Sequence, residues 1–426
     1  MPHPNADDQR GAADNRALQP GHHVRLLKGG TEYFAALVAD FDRARVEILF
    51  ETYIFEFTGA AIEVAEAIER AARRGLTVRV VVDGIGTGEI PATWQARWNA
   101  AGVAWRIFNP AHGWRLLLPA RWRRLHRKLC VVDARICFCG GINVLDDYYD
   151  PTTQGKLAKP RFDFAVRVTG PLVVDAHETM TRLWLRMKAA HEMRHFDFSA
   201  ALAAVQRAAE VGTDADDPEL SAPDLGRGDE GPPPLAGLVL RDNFRFRKRI
   251  EHFYRYAINQ ARHELVIANA YFVPGVALQR GLVNAARRGV KVTLLLQGRY
   301  EYFMQHHTSR AMYGVMLDAG IEIFEYAPSF LHAKVAVFDS EQGSIATVGS
   351  SNLDPLSLLL AREANVFVRD ERFVSELRQA LLDAAKSGGR RVEKADYGKR
   401  PLVQRSLAWI AYAAMRIALF ATRHRY

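Results

Sequence analysis

Two strings in this chain carry the same chemistry. His126-Arg-Lys128-Leu-Cys-Val-Val-Asp133 and His332-Ala-Lys334-Val-Ala-Val-Phe-Asp339 each set a His two positions before a Lys and seven before an Asp, 206 residues apart. Both are apolar, β-branched-rich runs that read as buried strands, on which residues i and i+2 share a face. His and Lys of each copy therefore point the same way. An imidazole beside an ammonium suits a phosphate, because Lys supplies point charge and His a nucleophile or a proton donor. A lone His-x-Lys is an ordinary strand feature; the repetition and a similar tail on each copy set this pair apart. The first copy runs on into Cys139-Gly140-Gly141-Ile-Asn143, the second into Val348-Gly349-Ser350-Ser351-Asn352-Leu-Asp354. Glycines at a strand end let backbone N–H groups approach an anion, and an Asn amide adds a donor without charge. The pattern asks for a phosphodiester, with Asn143, Asn352 and Ser350 as candidates to bind or orient its phosphate.

The elements that must position these residues repeat too. Ala71-Ala-Arg-Arg-Gly75-Leu-Thr-Val-Arg-Val recurs as Ala285-Ala-Arg-Arg-Gly289-Val-Lys-Val-Thr-Leu, a helix end closed by Gly and running into a buried strand. Residues 46–55 and 265–273 read as matching strands upstream. Each half is thus helix, strand, helix, strand and then the motif strand, the alternation of an α/β fold whose sheet carries helices on both faces. The expected organisation is an N-terminal segment without structure over 1–20, a first domain over 21–200 and an acidic, Pro-rich linker over 201–235. A second domain occupies 236–390, and an amphipathic helix 400–426. One histidine from each half must meet the other in a shared cleft.

The duplicated His-x-Lys-x4-Asp with its Gly-Gly/Ser-x-Asn tail resembles the phospholipase D superfamily. The strings HRKLCVVDARICFCGGIN, LHAKVAVFD, GSSNLDPLSL and EANVFV are similar to bacterial cardiolipin synthases, most like the B type, over about residues 21–368. Ala361-Arg362 departs from the Asn and apolar residue that the family usually places before its Glu. The resemblance implies two α-β-α sandwich domains of the phospholipase D type, related by a pseudo-twofold axis. It also implies a phosphatidyltransferase that takes phosphatidylglycerol as acceptor and phosphatidylglycerol or phosphatidylethanolamine as donor. In the family the first-half His is generally the nucleophile, so attack falls to His126 and acid/base work to His332 through a phosphohistidine. Lys128, Lys334, Asn143 and Asn352 would hold the non-bridging oxygens. Asp133 and Asp339 belong to the motif, but an odd offset on a strand faces away from the His and suits a brace for the fold. Asp163 and Glu363 are better placed to orient the rings as third members of a relay. Hydrolysis of a phospholipid or nucleic acid uses the same chemistry and stays open, as does a lipid-binding scaffold without catalysis.

No His/Cys/Asp/Glu cluster has metal-ligand spacing, and neither metal nor cofactor is expected. The 57 basic and 48 acidic residues give a net charge of +9, and leaving out residues 212–234, with seven acidic residues and one Arg, raises it to +15. Such a field suits nucleic acid or anionic lipid. Two segments favour lipid. Residues 114–128 mix Trp114, Trp122 and a Leu116-Leu117-Leu118 run with Arg115, Arg121, Arg123, Arg124 and Arg127, a composition of the headgroup level. Residues 402–420 are largely apolar, with Arg405, Tyr412, Arg416 and Arg423 on one helical stripe, as in a helix lying in a membrane surface. The expected partners are an anionic phospholipid membrane and phosphatidylglycerol, with nucleic acid disfavoured by that helix. The expected place is the cytoplasmic face of the bacterial cell membrane, since the first twenty residues carry no signal peptide and no stretch is long enough to span. Cys130, Cys137 and Cys139 read as small buried hydrophobes in a reducing compartment.

Overall fold

The computed structural model describes residues 18–110, 123–150, 153–194, 198–210, 233–241, 248–300, 303–354 and 361–398, with isolated positions 406, 410 and 413. The first half contains β1 (His23–Lys28), β2 (Glu47–Thr52), β3 (Thr77–Asp83), β4 (Ala104–Phe108) and β5 (Arg124–Leu125). It continues with β6 (Lys128–Val132), β7 (Ile136–Gly140), a small hairpin of β8 (Tyr149–Asp150) and β9 (Gly155–Lys156), and β10 (Phe164–Thr169). The second half contains β11 (Leu235–Arg241), β12 (Glu264–Asn269), β13 (Lys291–Gln297), β14 (Glu322–Tyr326), β15 (Lys334–Phe338), β16 (Ile345–Gly349), β17 (Ala361–Arg369) and β18 (Gly389–Arg391).

The two sheets have one topology. The first runs β1-β10-β7-β6-β2-β3-β4 and the second β11-β17-β16-β15-β12-β13-β14, with β18 added at its edge. Strands β2, β3 and β4 are mutually parallel, as are β12, β13 and β14, while the motif strands β6 and β15 run antiparallel to β2 and β12. This direction sets the site. The N-terminal ends of β6 and β15, where the histidines sit, lie at the same sheet edge as the C-terminal ends of β3 and β13.

Helices α1 (Gly29–Arg43), α2 (Ala61–Arg73) and α3 (Ala92–Ala101) cover the outer face of the first sheet around Leu37, Phe41, Ile68 and Trp98. The long helix α4 (Leu172–Arg194) packs on the inner face, followed by α5 (Phe198–Glu210). In the second half α6 (Arg249–Gln260), α7 (Val276–Arg287), α8 (Phe303–Ala311) and α9 (Tyr313–Asp318) lie outside, while α10 (Glu371–Gly388) packs inside, ahead of α11 (Lys394–Gly398). Between the inner faces one apolar core joins Leu129, Val131, Cys139 and Val166 to Val335, Val337, Val348 and Val366. The halves therefore share a core.

The repeated Ala-Ala-Arg-Arg-Gly explains itself in this frame. Gly75 and Gly289 take φ of 91° and 92°, left-handed values that a side chain disfavours, and turn α2 and α7 into β3 and β13. The second Arg of each copy reaches back to the end of the preceding helix, Arg74 to Phe41 O at 2.6 Å and Arg288 to Ile258 O at 3.2 Å. The expected α/β class and the paired sandwiches are what the chain adopts. Each half has one more helix–strand step than the repeat suggested, α3–β4 and α8–α9–β14, inserted before the motif strand.

Two boundaries differ from expectation. Residues 201–210 belong to α5 rather than to a linker, because the alanine-rich run there has high helix propensity and an apolar side to lay on α4. Gln19 and Ala236 exchange both backbone hydrogen bonds at 2.9 Å, so the end of the segment expected to lack structure is tied to the second half. Residues 1–17 and 211–232, the apolar part of the Trp114 segment, and all but three positions of the expected C-terminal helix lie outside the described residues.

Asp133 and Asp339 hold the sheets together away from the histidines. The Asp133 carboxylate accepts from the N–H groups of Arg45, Val46 and Glu47 at 2.8–2.9 Å, and Asp339 from those of Arg262, His263 and Glu264 at 3.0–3.1 Å. Each ties the end of its motif strand to the start of the neighbouring strand. Asp133→Ala should lower unfolding free energy by about 1–3 kcal/mol, the cost of orphaned donors, and also strains a residue at φ 52°. Asp133→Asn, which keeps an acceptor and tolerates that conformation, should lose less. Urea titration checks the order, with turnover per folded molecule retained in both variants.

Candidate active site

His126 lies between β5 and β6, and His332 two residues before the start of β15. Each is pinned by the other half. The His126 N–H donates to Arg362 O at 3.1 Å, and the His332 N–H to Phe162 O at 2.9 Å. Strand β5 leaves its own sheet to pair in parallel with β17, and Phe162 makes the matching parallel bridge to Leu331.

The side chains cross in the same way. His126 Nδ1 is 3.0 Å from Glu363 of β17, and His332 Nδ1 is 2.6 Å from Asp163, the residue before β10. Each carboxylate holds the Nδ1 side of the ring of the opposite half, and neither Nε2 has a hydrogen-bond partner among the described residues. Ser350 Oγ donates to Glu363, while Ala364 N–H donates to Ser350 Oγ at 3.1 Å, so this Ser supports the carboxylate rather than a phosphate.

Gly141 serves the same purpose, which corrects its expected role. A side chain at Gly141 would meet Asp163 Oδ1 at 2.3 Å, so this Gly makes room for the orienting carboxylate. Its N–H donates to Phe164 O at 2.9 Å and Ser350 N–H to Ala364 O at 3.0 Å, so neither is offered to an anion. Asn143 and Asn352 are buried at the following positions. The Asn143 amide oxygen accepts from Ile54 N–H at 3.3 Å.

Lys128 and Lys334 are buried, and each ammonium donates to the carbonyl oxygen of its own motif His, Lys128 at 2.8 Å. Burial, then the Lys334 charge, brings Lys128 down to about 7. Burial followed by Lys334, Lys128 and His126 holds His332 well below its ordinary value; burial lowers His126 too, partly offset by Glu363. Asp163 is pushed up to about 7, chiefly by burial and against the pull of Lys334. These groups form one coupled set, biased toward neutral imidazoles until an anion enters.

Sequence reasoning missed several neighbours. Tyr53, just past β2, packs against His126 with ring centroids 4.8 Å apart and planes tilted by 55°, and Lys128 Nζ lies 5.4 Å from the same Tyr ring. Arg127 and Arg124, assigned to a basic membrane rim, are internal ties. Arg127 pairs with Glu51, both 2 % exposed, and Arg124 with buried Asp83 at 3.2 Å. The cysteines are free and buried, with Cys139 pushed up to about 12 by burial.

The family model described as "Cardiolipin synthase, PLD-like domain" matches residues 37–151 and 254–383, both motif regions. The chain belongs to this family. It is 33% identical over 371 residues to cardiolipin synthase B of Escherichia coli K12, covering 85% of this chain and 80% of that protein. With cardiolipin synthase B of Salmonella typhi it shares 32% identity over 390 residues, 89% and 84% of the two chains. The fold resembles that of a phosphatidylserine synthase from Haemophilus influenzae, with a TM-score of 0.64 at 12% identity over 97% of this chain and 99% of that one. Family membership and the geometry bear on the same residues.

Lys128 gives a test with a defined sign. Its lowered pKa means the free enzyme loses this charge above about pH 7, whereas a bound phosphodiester stabilises the ammonium and raises the value. kcat/KM, which reports the free enzyme, should fall above that pH, and the alkaline limb of kcat should lie higher. Lys128→Met should lose at least about a hundredfold in kcat/KM. Its Tm near pH 6 should not fall, because the unfolded chain holds this proton more tightly and the wild-type Lys only gains stability as pH rises through the window. Paired pH–rate profiles and thermal melts read both.

Proposed function

We propose that this member of the cardiolipin synthase family transfers a phosphatidyl group from one phosphatidylglycerol to another through a phosphohistidine at His126. The observation that carries the reading is the crossed pair of carboxylate–imidazole contacts, which aims two histidines from opposite directions at a space flanked by two buried ammonium groups. In the first half-reaction His126 Nε2 attacks phosphorus, a P–N bond forms, and the P–O bond to the headgroup glycerol breaks. Protonated His332 gives its proton to that glycerol oxygen. In the second, neutral His332 takes the proton of the acceptor hydroxyl, the new P–O bond forms, and the P–N bond to His126 breaks. Lys128, Lys334 and the amides of Asn143 and Asn352 hold the non-bridging oxygens.

The pKa directions support this division. Binding a monoanionic diester beside His332 raises its proton affinity, so the acid is loaded by its own substrate. A lipid substrate also fits the edge on which the site opens. Ile85 just past β3, Tyr149 in β8 and Tyr300 just past β13 are 46%, 39% and 50% exposed at that edge. Apolar and aromatic side chains around a cationic cleft suit a headgroup-level contact with anionic lipid. No described helix is long and apolar enough to cross a membrane, and peripheral attachment to the cytoplasmic face of the cell membrane is the arrangement proposed.

Vesicles of radiolabelled phosphatidylglycerol test the reading. Cardiolipin and glycerol should form in equal amounts and turnover should persist in excess chelator, since Lys and Asn supply the charge stabilisation. Phosphatidic acid as the main lipid product would make the protein a hydrolase instead. Turnover only when phosphatidylethanolamine is added would change the donor.

A further inference from the structure

The pseudo-twofold axis relates the two histidines but not the surfaces beside them. Segments 161–163 and 330–332 run parallel through the Phe162–Leu331 bridge, so Asp163 lies beside His332 and Arg161 beside Phe330. Residues i and i+2 of extended chain share a face, which puts Arg161 and Phe330 on the cleft side, about 7 Å outward from the Asp163–His332 pair at 3.3 Å per residue. The Arg161 guanidinium lies 5.7 Å from the Phe330 ring centroid and that of Arg299 5.0 Å from it. Two guanidiniums thus share one buried aromatic floor.

Their partners leave them able to bind. Arg161 donates to Asp146 O at 3.0 Å and Tyr149 O at 2.9 Å and makes no ion pair among the described residues. Asp146, Asp147 and Glu56 are its acidic neighbours. The carboxylate of Asp147 is bound to Gly30 N–H and that of Asp146 to Tyr148 N–H. Burial pushes Asp147 up to about 6 and raises Glu56. Arg299 pairs with Asp150 at 2.9 Å and keeps a third of its side chain exposed.

At the symmetry-related place in the first half, β17 sets Ala361 opposite Arg124. Ala361 replaces the arginine, and Arg124 is tied to Asp83. That Asp83 carboxylate accepts from Leu125 N–H at 2.8 Å, whereas its counterpart Gln297 accepts from Leu331 N–H at 3.2 Å with a neutral amide. Among the described residues the His126 flank thus carries one ion-paired arginine, whereas the His332 flank carries two, one of them, Arg161, outside any ion pair.

The geometry points to a second phosphodiester site, Arg161 and Arg299 over Phe330, that holds the phosphate of the acceptor lipid while His332 activates its hydroxyl. This rests on the phosphatidyl-transfer reading above. In phosphatidylglycerol the reacting hydroxyl is separated from its own phosphorus by the headgroup glycerol, roughly 6 Å when extended at single-bond lengths near 1.5 Å. That matches the offset from His332 to the platform. An acceptor held there presents its alcohol to the base, and water, which has no phosphate to hold, gains nothing from the site.

The test uses the full chain with phosphatidylglycerol as donor and three competing acceptors: phosphatidylglycerol, its water-soluble deacylated glycerophosphoglycerol, and isotopically labelled glycerol, which has no phosphate and whose transfer is read as labelled phosphatidylglycerol. Arg161→Gln, Arg299→Gln and the isosteric Gln297→Glu, which adds the first-half charge without removing an arginine, should each lower transfer to both phosphate-bearing acceptors at least tenfold relative to transfer to glycerol. Phosphatidic acid should rise as a share of product, and Arg161→Lys should restore part of the preference. An unchanged ratio in Arg161→Gln and Gln297→Glu overturns the site. A loss confined to the lipid acceptor assigns the arginines to the membrane surface and overturns it too. Wild-type protein that releases no glycerol from phosphatidylglycerol would instead remove the transfer reading itself.

Discussion

The crossed contacts of Glu363 with His126 and Asp163 with His332 are the constraint on which the rest of the molecule depends. Neither half can build a working histidine alone, because the ring of each is fixed by a carboxylate from the other. Precise mutual placement of two sheets then becomes a requirement, and the chain meets it with a shared apolar core rather than a hinge. The exchange of β5 onto β17 and the Phe162–Leu331 bridge carry that register to within one residue of each histidine.

The same arrangement is electrostatically expensive when empty. Two ammonium groups, two imidazoles and two carboxylates share one buried region, and burial pushes Lys128, His332 and Asp163 away from their charged forms. On the proposed reading a phosphodiester anion relieves it, favouring charged Lys and a protonated His together. In the proposed reaction, recognition, loading of the acid and stabilisation of the transferred phosphoryl oxygens would all follow from one field. The proposed second site extends that field outward in the second half through Arg161 and Arg299, whereas in the first half Arg124 is tied to Asp83.

Much of this was legible in the amino-acid order. The doubled His-x-Lys gave the chemistry, and a repeat of period-two apolar runs and Ala-Ala-Arg-Arg-Gly turns gave the paired sheets. The odd offset of Asp133 and Asp339 already separated them from the rings, and Asp163 and Glu363 stood out as carboxylates beside buried strands. Which carboxylate meets which histidine was not legible, because local spacing says nothing about a pairing that crosses between halves. The glycines misled for a related reason: a small residue before an Asn fits an anion cradle and a gap for Asp163 equally well. Arg124 and Arg127 looked like surface charge because their partners, Asp83 and Glu51, are far away in sequence. Tyr53, Arg161 and Arg299 carry no motif at all, and their roles emerge only where strands end together.

Covalent attachment at His126 is the step that separates this mechanism most sharply from direct displacement by the acceptor. A phosphatidyl diester of a phenol, whose leaving group needs no proton, allows the first half-reaction to run without an acid. Mixed with His332→Ala, quenched under denaturing conditions and mapped by peptide mass spectrometry, it should leave a phosphatidyl adduct on the peptide that carries His126. His126→Ala should show none. An adduct on the His332 peptide, or wild-type turnover with no adduct on either histidine, would contradict the assignment.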